Sequence, residues 1–478
     1  MDTGKRAFLK TKVICTVGPA SADPGTLAAL CDAGMDVARL NMSHTGHEEA
    51  RLAARRIREC AASSDRPIAI MVDLQGPKIR IGRLDGPRML ASGDVVGLAP
   101  ADRAAGEELP VSYPDLARDL RPDDRVLLSD GQIELRVREV APPRVITEVV
   151  LGGEVSSGKG VNLPGVRVSA PSLTEKDLAD LEVALEIEAE YVALSFARSA
   201  ENVLDLRERV PEVVSVVTKI EKDSALEELE AILGASDAVI VARGDLGTEL
   251  PFEQVPLAQK RIVRRANARY RPVVIATELL ESMIERPRPT RAEVSDIANA
   301  ILDGADAVLL SAETAVGRYP VGSVRALVRV LREVESEGPL LKGGPLYDVP
   351  AASASEAPVS TEVAVACATV EAVRAIGAPA IITYTNSGHT ARVVSSRRPP
   401  VPILAVTSSA RVQRQLAMVW GVLPVLCRES LSEDNMRAVA RAELLRTGLA
   451  GPGDRVVVTA GLPFHVRGTT NMVRIETI

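Results

Sequence analysis

The stretch VSVVTKIEKDSALEELEAILGASDAVIVARGD, residues 214–245, reads as strand, helix and strand in turn. Two β-branched apolar runs, VSVVTKIE and AVIVARGD, each end in charged residues, and SALEELEAILGAS between them carries a helical period. A strand that crosses through a helix to a second strand of the same design predicts a parallel sheet with a right-handed connection. The same unit recurs along the chain. KVICTVG (12–18), DVARLNMS (36–43), PIAIMVDL (67–74), YVALSF (191–196), PVVIATE (272–278) and AVLLSAE (307–313) complete a set of eight apolar runs, most of them separated by helical segments.

Eight such units fit a closed (β/α)8 TIM barrel, an α/β fold whose site lies at the C-terminal strand ends. Those ends carry Arg39, Asn41, Ser43, Asp73, Ser195, Lys219, Glu221, Arg243, Asp245, Thr277, Ser311 and Glu313. Residues two apart on a strand share a face, which pairs Lys219 with Glu221, Arg243 with Asp245, Ser311 with Glu313, and aligns Arg39, Asn41 and Ser43.

The rhythm breaks between about 77 and 170. VLLSDGQIELRVREV predicts a hairpin turning near Asp130-Gly131, and VITEVVLGGEV another strand. The expected organisation is a catalytic barrel from 1–76 and 170–337, an inserted small β-barrel lid from 77–169, and an open α/β domain from 338–478, with 335–360 as connector.

The 478 residues exceed one ordinary domain, and their hydrophobic and charged fractions, 46% and 25%, suit a folded globular chain. A net charge of -7 argues against nucleic acid or anionic membrane as partner. Cys15, Cys31, Cys60, Cys367 and Cys427 lie far apart without a CxxC pair, so five reduced thiols acting as apolar filler are expected in a cytoplasmic protein. The N-terminus has no apolar leader, and no run approaches a membrane span.

Glu221 and Asp245 on adjacent strands suit either a salt-bridge network or a hard divalent cation such as Mg²⁺; neighbouring Lys219 favours the cation, because phosphoryl transfer needs metal and ammonium together. GGEVSSGKG (152–160) nearly matches a phosphate loop, but Gly160 replaces the hydroxyl residue and no helix follows, leaving a flexible turn that offers Lys159. His44 and His47 in SHTGH have no third metal ligand at useful spacing, and His47 reads as structural or solvent-exposed.

TKVICTVGPAS (11–21), GMDVARLNMSH (34–44), TKIE (218–221), ARGDLG (242–247), ATELLESM (276–283), the run from Pro289 to Pro320 and SGHTARVVSSRRP (387–399) together make the chain similar to the pyruvate kinase family. The resemblance implies phosphoryl transfer from phosphoenolpyruvate to ADP, giving ATP and pyruvate. By it, Arg39 and Lys219 grip the moving phosphoryl group, Glu221 and Asp245 hold Mg²⁺ with Mn²⁺ as an alternative, and Gly244, Asp245 and Thr277 contact substrate. Asn41, Met42, Ser43, His44, Arg80 and Lys159 match positions near the nucleotide, and Ser311 with Thr277 a proton route to the enolate.

Most of the family binds K⁺ through residues matching Asn41, Ser43, Asp73 and the carbonyl of Leu74. This chain reads DLQGPK (73–78), with Lys78 where the family has glutamate, and a branch so altered works without K⁺; Lys78 is expected to replace the ion. Thr385, Ser387, Gly388 and Thr390 resemble a loop for an effector phosphate, with AMP or a sugar monophosphate expected ahead of a bisphosphate, in a homotetramer. Another phosphoenolpyruvate- or pyruvate-acting barrel, or a metabolite-sensing binding protein, stays open at this level.

Overall fold

The computed structural model describes residues 8–64, 66–342, 359–428, 432–463 and 470–478. All eight apolar runs become strands: β1 (Lys12–Thr16), β2 (Val37–Asn41), β3 (Ala69–Asp73), β4 (Tyr191–Leu194), β5 (Ser215–Ile220), β6 (Ala238–Ala242), β7 (Val273–Ala276) and β8 (Ala307–Leu310). They close into one parallel barrel, β8 pairing with β1 in the register Lys12 to Ala307.

Alternation along each strand builds two cores. Ile14, Met71, Val217, Ile240, Val274 and Leu309 fill the barrel, while Val13, Val72, Val216, Val239, Val273 and Val308 pack against the surrounding helices. The helix expected over SALEELEAILGAS is two short helices, Asp223–Glu227 and Leu229–Ala235.

Between β3 and β4 the chain forms a six-stranded and a two-stranded sheet around their own apolar core. The expected hairpin is present: Arg125–Leu128 pairs antiparallel with Ile133–Ala141, and Ser129, Asp130 and Gly131 take positive φ at the turn. The helix Pro320–Lys342 runs through the first part of the expected connector, and 343–358 of its remainder lie outside the described residues.

The C-terminal region forms β9 (Ile381–Tyr384), β10 (Ile403–Thr407), β11 (Val422–Leu426), β12 (Arg455–Ala460) and β13 (Met472–Thr477), in the order β11-β10-β9-β12-β13 with β13 antiparallel. The helix Ala410–Leu416 ends where the residues that follow become part of the barrel floor. Met418 is fully buried within the barrel's inner core. Lys12 donates to the Val422 carbonyl at 2.7 Å, and Arg398 pairs with Asp306. This domain therefore caps the mouth at which the strands begin, opposite the ring of polar strand ends.

Cys31 and Cys60, on the neighbouring helices Pro24–Ala33 and His47–Ser63, pair sulfur to sulfur with Cα atoms 7.3 Å apart. Five separate thiols is thus corrected for this pair: the sequence separation of 29 conceals helices that lie side by side. Among the described residues no helix is long and apolar enough to cross a membrane.

Candidate active site

Asp73 ends β3 with its side chain buried, and the neighbouring strands supply its partners. Arg39 of β2 grips Asp73 Oδ2 through Nε at 2.7 Å and Nη2 at 2.6 Å, and its Nη1 donates to Thr16 Oγ1 of β1 at 2.9 Å. Burial opposes the Asp73 carboxylate, but Lys219 and Arg39 outweigh that cost and hold its pKa below the usual range.

Lys219 reaches the same pocket from β5. Its Nζ donates to Ser195 Oγ at 2.9 Å and stands 2.8 Å from Glu221 Oε1 and 3.5 Å from Asp73 Oδ2. Burial works against the ammonium, yet Asp73 and then Glu221 raise its pKa above the ordinary lysine value, so it stays charged at neutral pH. Glu221 is pushed the other way: burial and Asp245 raise its pKa against the pull of Lys219. Its Oε2 accepts from the Phe196 N–H at 2.7 Å, whereas the buried Oε1 contacts Lys219 without hydrogen-bond alignment.

Glu221, whose proton affinity burial and Asp245 raise and whose buried Oε1 has no aligned hydrogen-bond donor, forms with Asp245 an oxygen donor set suited to a small divalent cation. Among the described residues no group of three or more His, Cys, Asp or Glu could hold a metal.

Strand parity fails beyond β6. That strand ends at Ala242, and Arg243–Glu249 is helical, so Arg243 does not share the face of Asp245. Its guanidinium instead meets Asp296 at 2.6 Å and the carbonyls of Thr277 at 2.6 Å and Glu278 at 3.1 Å. Thr277 and Glu278 have φ of 65° and 53°, a costly conformation for a β-branched residue, which this clamp helps to hold. Thr277 Oγ1 accepts from the Gly244 N–H at 2.8 Å and donates to the Ala276 carbonyl at 2.6 Å. Ser311 and Glu313 likewise lie past the end of β8, with Glu313 accepting from the N–H groups of Leu280 at 3.0 Å and Ser311 at 2.7 Å. Ser43 sits in a turn beyond β2, and its N–H donates to Asn41 Oδ1 at 3.2 Å.

In the inserted region, Arg80 forms a bridge with Gly160 and donates through Nη1 to the Gly158 carbonyl at 2.9 Å, bringing exposed Lys159 alongside. His44 is depressed in pKa first by burial, then by Arg80 and Lys78, so these three groups face one space. The Met42 carbonyl accepts from Lys176 at 2.8 Å. Lys78 lines a cleft of about 520 Å³ together with Phe196, Arg198 and Lys222. Among the described residues no carboxylate stands within ion-pair distance of Lys78. His47, which opens the helix after β2, hydrogen-bonds through Nε2 to buried Asp180 at 2.9 Å.

Gly76 lies between the end of β3 and the inserted sheets. Its φ is 67°, and a Cβ there would stand 3.0 Å from the Ser195 carbonyl and the Phe196 ring. Gly76→Ala is expected to destabilise the protein by roughly 1–3 kcal/mol, read as a lower urea midpoint.

Thr16 acquired no role from the sequence, although it follows Lys12 and Ile14 on the inward face of β1. At the far pole, Gly388, with φ of 80°, donates to Thr385 Oγ1 at 2.9 Å, Arg392 donates to the Ser387 carbonyl at 3.2 Å, and Thr390 pairs with Thr470 at 2.9 Å.

Family models described as pyruvate kinase, barrel domain, and pyruvate kinase, alpha/beta domain, match residues 8–324 and 363–476. The chain belongs to the pyruvate kinase family. It is 42% identical over 472 residues to the pyruvate kinase of Mycobacterium intracellulare, covering 98% of both chains. With that of Corynebacterium glutamicum it shares 42% identity over 473 residues, covering 98% of this chain and 97% of the other. A crystal structure of a pyruvate kinase from Cryptosporidium parvum superposes with a TM-score of 0.91 at 33% identity, covering 98% of this chain and 96% of that one. As a member of the pyruvate kinase family, the chain is a phosphotransferase.

Proposed function

We propose that the chain transfers the phosphoryl group of phosphoenolpyruvate to ADP, with the roles assigned from Arg39 to Ser311 as below. The observation that carries this reading is the Lys219 ammonium, kept charged between Asp73 and Glu221 at the C-terminal mouth of the barrel. A phosphoryl group in transfer carries spread negative charge, and catalysis is mostly positioning and electrostatic stabilisation. Lys219 and Arg39 supply fixed positive charge along its path while the bond to the enolpyruvate oxygen breaks and that to the ADP oxygen forms.

Glu221 and Asp245 would hold Mg²⁺, or Mn²⁺ in its place, whose charge offsets that of the phosphates when it is bound. The N–H groups around Gly244 and Asp245, with Thr277, face the substrate, while Asn41 to His44, Arg80 and Lys159 line the nucleotide side. The enolate then takes a proton by way of Thr277 and Ser311. Because the Thr277 hydroxyl is directed at the Ala276 carbonyl, its part in that relay requires rotation.

K⁺ independence is part of the proposal, and three contacts support it. Three of the four groups the resemblance assigns to the ion are engaged within the protein: Asn41 Oδ1 by the Ser43 N–H at 3.2 Å, Asp73 by Arg39, and the Leu74 carbonyl by Ser195 at 2.8 Å. Lys78 adds a fixed cation at the cleft. Pyruvate formation measured with phosphoenolpyruvate, ADP and Mg²⁺ should proceed in buffer free of K⁺ and NH₄⁺ and gain nothing from K⁺ at matched ionic strength. Lys78→Glu is expected to confer activation by K⁺; activity that already requires K⁺ in the unaltered protein would overturn the Lys78 reading and leave the kinase intact.

The proposal extends to a homotetramer activated by a phosphorylated metabolite at the 385–390 turn, with AMP or a sugar monophosphate ahead of a bisphosphate. Support lies in the turn geometry at Thr385 and Gly388 and the nearby Arg392. The stretch 461–471 lies partly outside the described residues.

A further inference from the structure

We propose that Ser195 is a positioning residue for phosphoryl transfer, orienting the Lys219 ammonium between two carboxylates by giving it a neutral, backbone-anchored acceptor beside them. This inference rests on the reading of Lys219 as the charge that stabilises the moving phosphoryl group.

Ser195 follows β4 and is 2% exposed, so its hydroxyl must satisfy itself within the protein. Its Oγ has one proton and three neighbours: the Leu74 carbonyl at 2.8 Å, Asp73 Oδ1 at 3.3 Å and Lys219 Nζ at 2.9 Å. The ammonium can only donate, so the serine proton goes to an oxygen, and the Leu74 carbonyl is the nearer. Ser195 is thereby fixed as an acceptor toward Lys219, and its direction is set by the backbone of β3.

The chemistry of the acceptor matters. Asp73 Oδ2 and Glu221 Oε1 both attract Nζ, at 3.5 Å and 2.8 Å. Nζ is already in contact with Glu221, and the flexible lysine stem leaves its direction about that contact unfixed. A neutral hydroxyl anchors Nζ without cancelling its charge. Arg39 is already tied to Asp73 and Thr16 and cannot take over.

The test compares the full-length protein with Ser195→Ala and Ser195→Thr, measuring pyruvate formation at saturating Mg²⁺ and the urea midpoint of each protein. Ser195→Ala is expected to lower kcat roughly 100-fold, the scale of misplacing one catalytic group by about 1 Å, while KM for phosphoenolpyruvate stays within about two-fold. Ser195→Thr, which keeps the hydroxyl, is expected to recover most of kcat. Assays run in urea-free buffer on proteins whose midpoints show them folded separate this effect from stability. An Ala variant with kcat within about three-fold of the unaltered protein, a loss carried by KM, or a Thr variant as slow as Ala would overturn the assignment. If the unaltered protein forms no pyruvate, the functional reading fails instead, before any variant is compared.

Discussion

Lys219→Met is expected to abolish phosphoryl transfer while leaving substrate binding in place. Methionine keeps most of the unbranched stem and its packing, so the change removes chiefly the charge. Only interactions stronger in the transition state than in the bound substrate change kcat, and the loose phosphoryl transition state depends on fixed cations. Loss of a preorganised donor of this kind costs about 10²–10³ in kcat, and loss of a buried full charge belongs at or above the upper end. Phosphoenolpyruvate binding should survive, because Arg39 keeps its two contacts to Asp73 and its contact to Thr16. Calorimetric titration with phosphoenolpyruvate and Mg²⁺, beside rapid-quench turnover, separates the two quantities. Turnover within about tenfold of the unaltered protein would remove Lys219 from the mechanism. Lys219→Arg should not restore the rate, since a planar guanidinium cannot occupy the point between Ser195 and Glu221 that the ammonium fills.

The parts of the site that were legible in the sequence are those fixed by strand periodicity. Arg39, Asp73 and Lys219 lie on or at the end of strands whose apolar runs state their own period, and they meet as that period requires. Legibility stopped where the strands did. Arg243, Ser311 and Ser43 follow apolar runs without a break in composition, yet the backbone has already turned or become helical, and an i, i+2 rule no longer says where a side chain points. Cys31 with Cys60 and Thr16 with Arg39 belong to another class, in which contact depends on how successive units pack around the barrel and no local pattern reports it. The same holds for Met418, which fills the barrel floor because the C-terminal domain docks there.

That docking surface carries the second large expected effect. Arg398 and Asp306 form an ion pair at 3.0 Å with side-chain exposures of 2% and 5%. Arg398 also donates to the Gly304 carbonyl at 2.6 Å and Asn267 Oδ1 at 2.8 Å, and it lies 4.9 Å from the Trp420 ring centre. Asp306 additionally accepts from the Val273 N–H at 3.0 Å, so its carboxylate is built into the start of the barrel sheet. Arg398→Leu leaves that carboxylate buried and without its cation, a change that costs about 3–5 kcal/mol. The expected result is a lower urea midpoint for the unfolding transition that includes the barrel. Asp306→Leu alone should cost a similar amount, because it strands the guanidinium and the Val273 N–H. The double substitution should cost clearly less than the sum of the two, since no uncompensated charge remains, and strict additivity would show that the pair is not coupled. β8 begins beside Asp306 and ends one residue before Ser311, so a variant that loosens this pair acts on the strand that presents Ser311 to the opposite mouth.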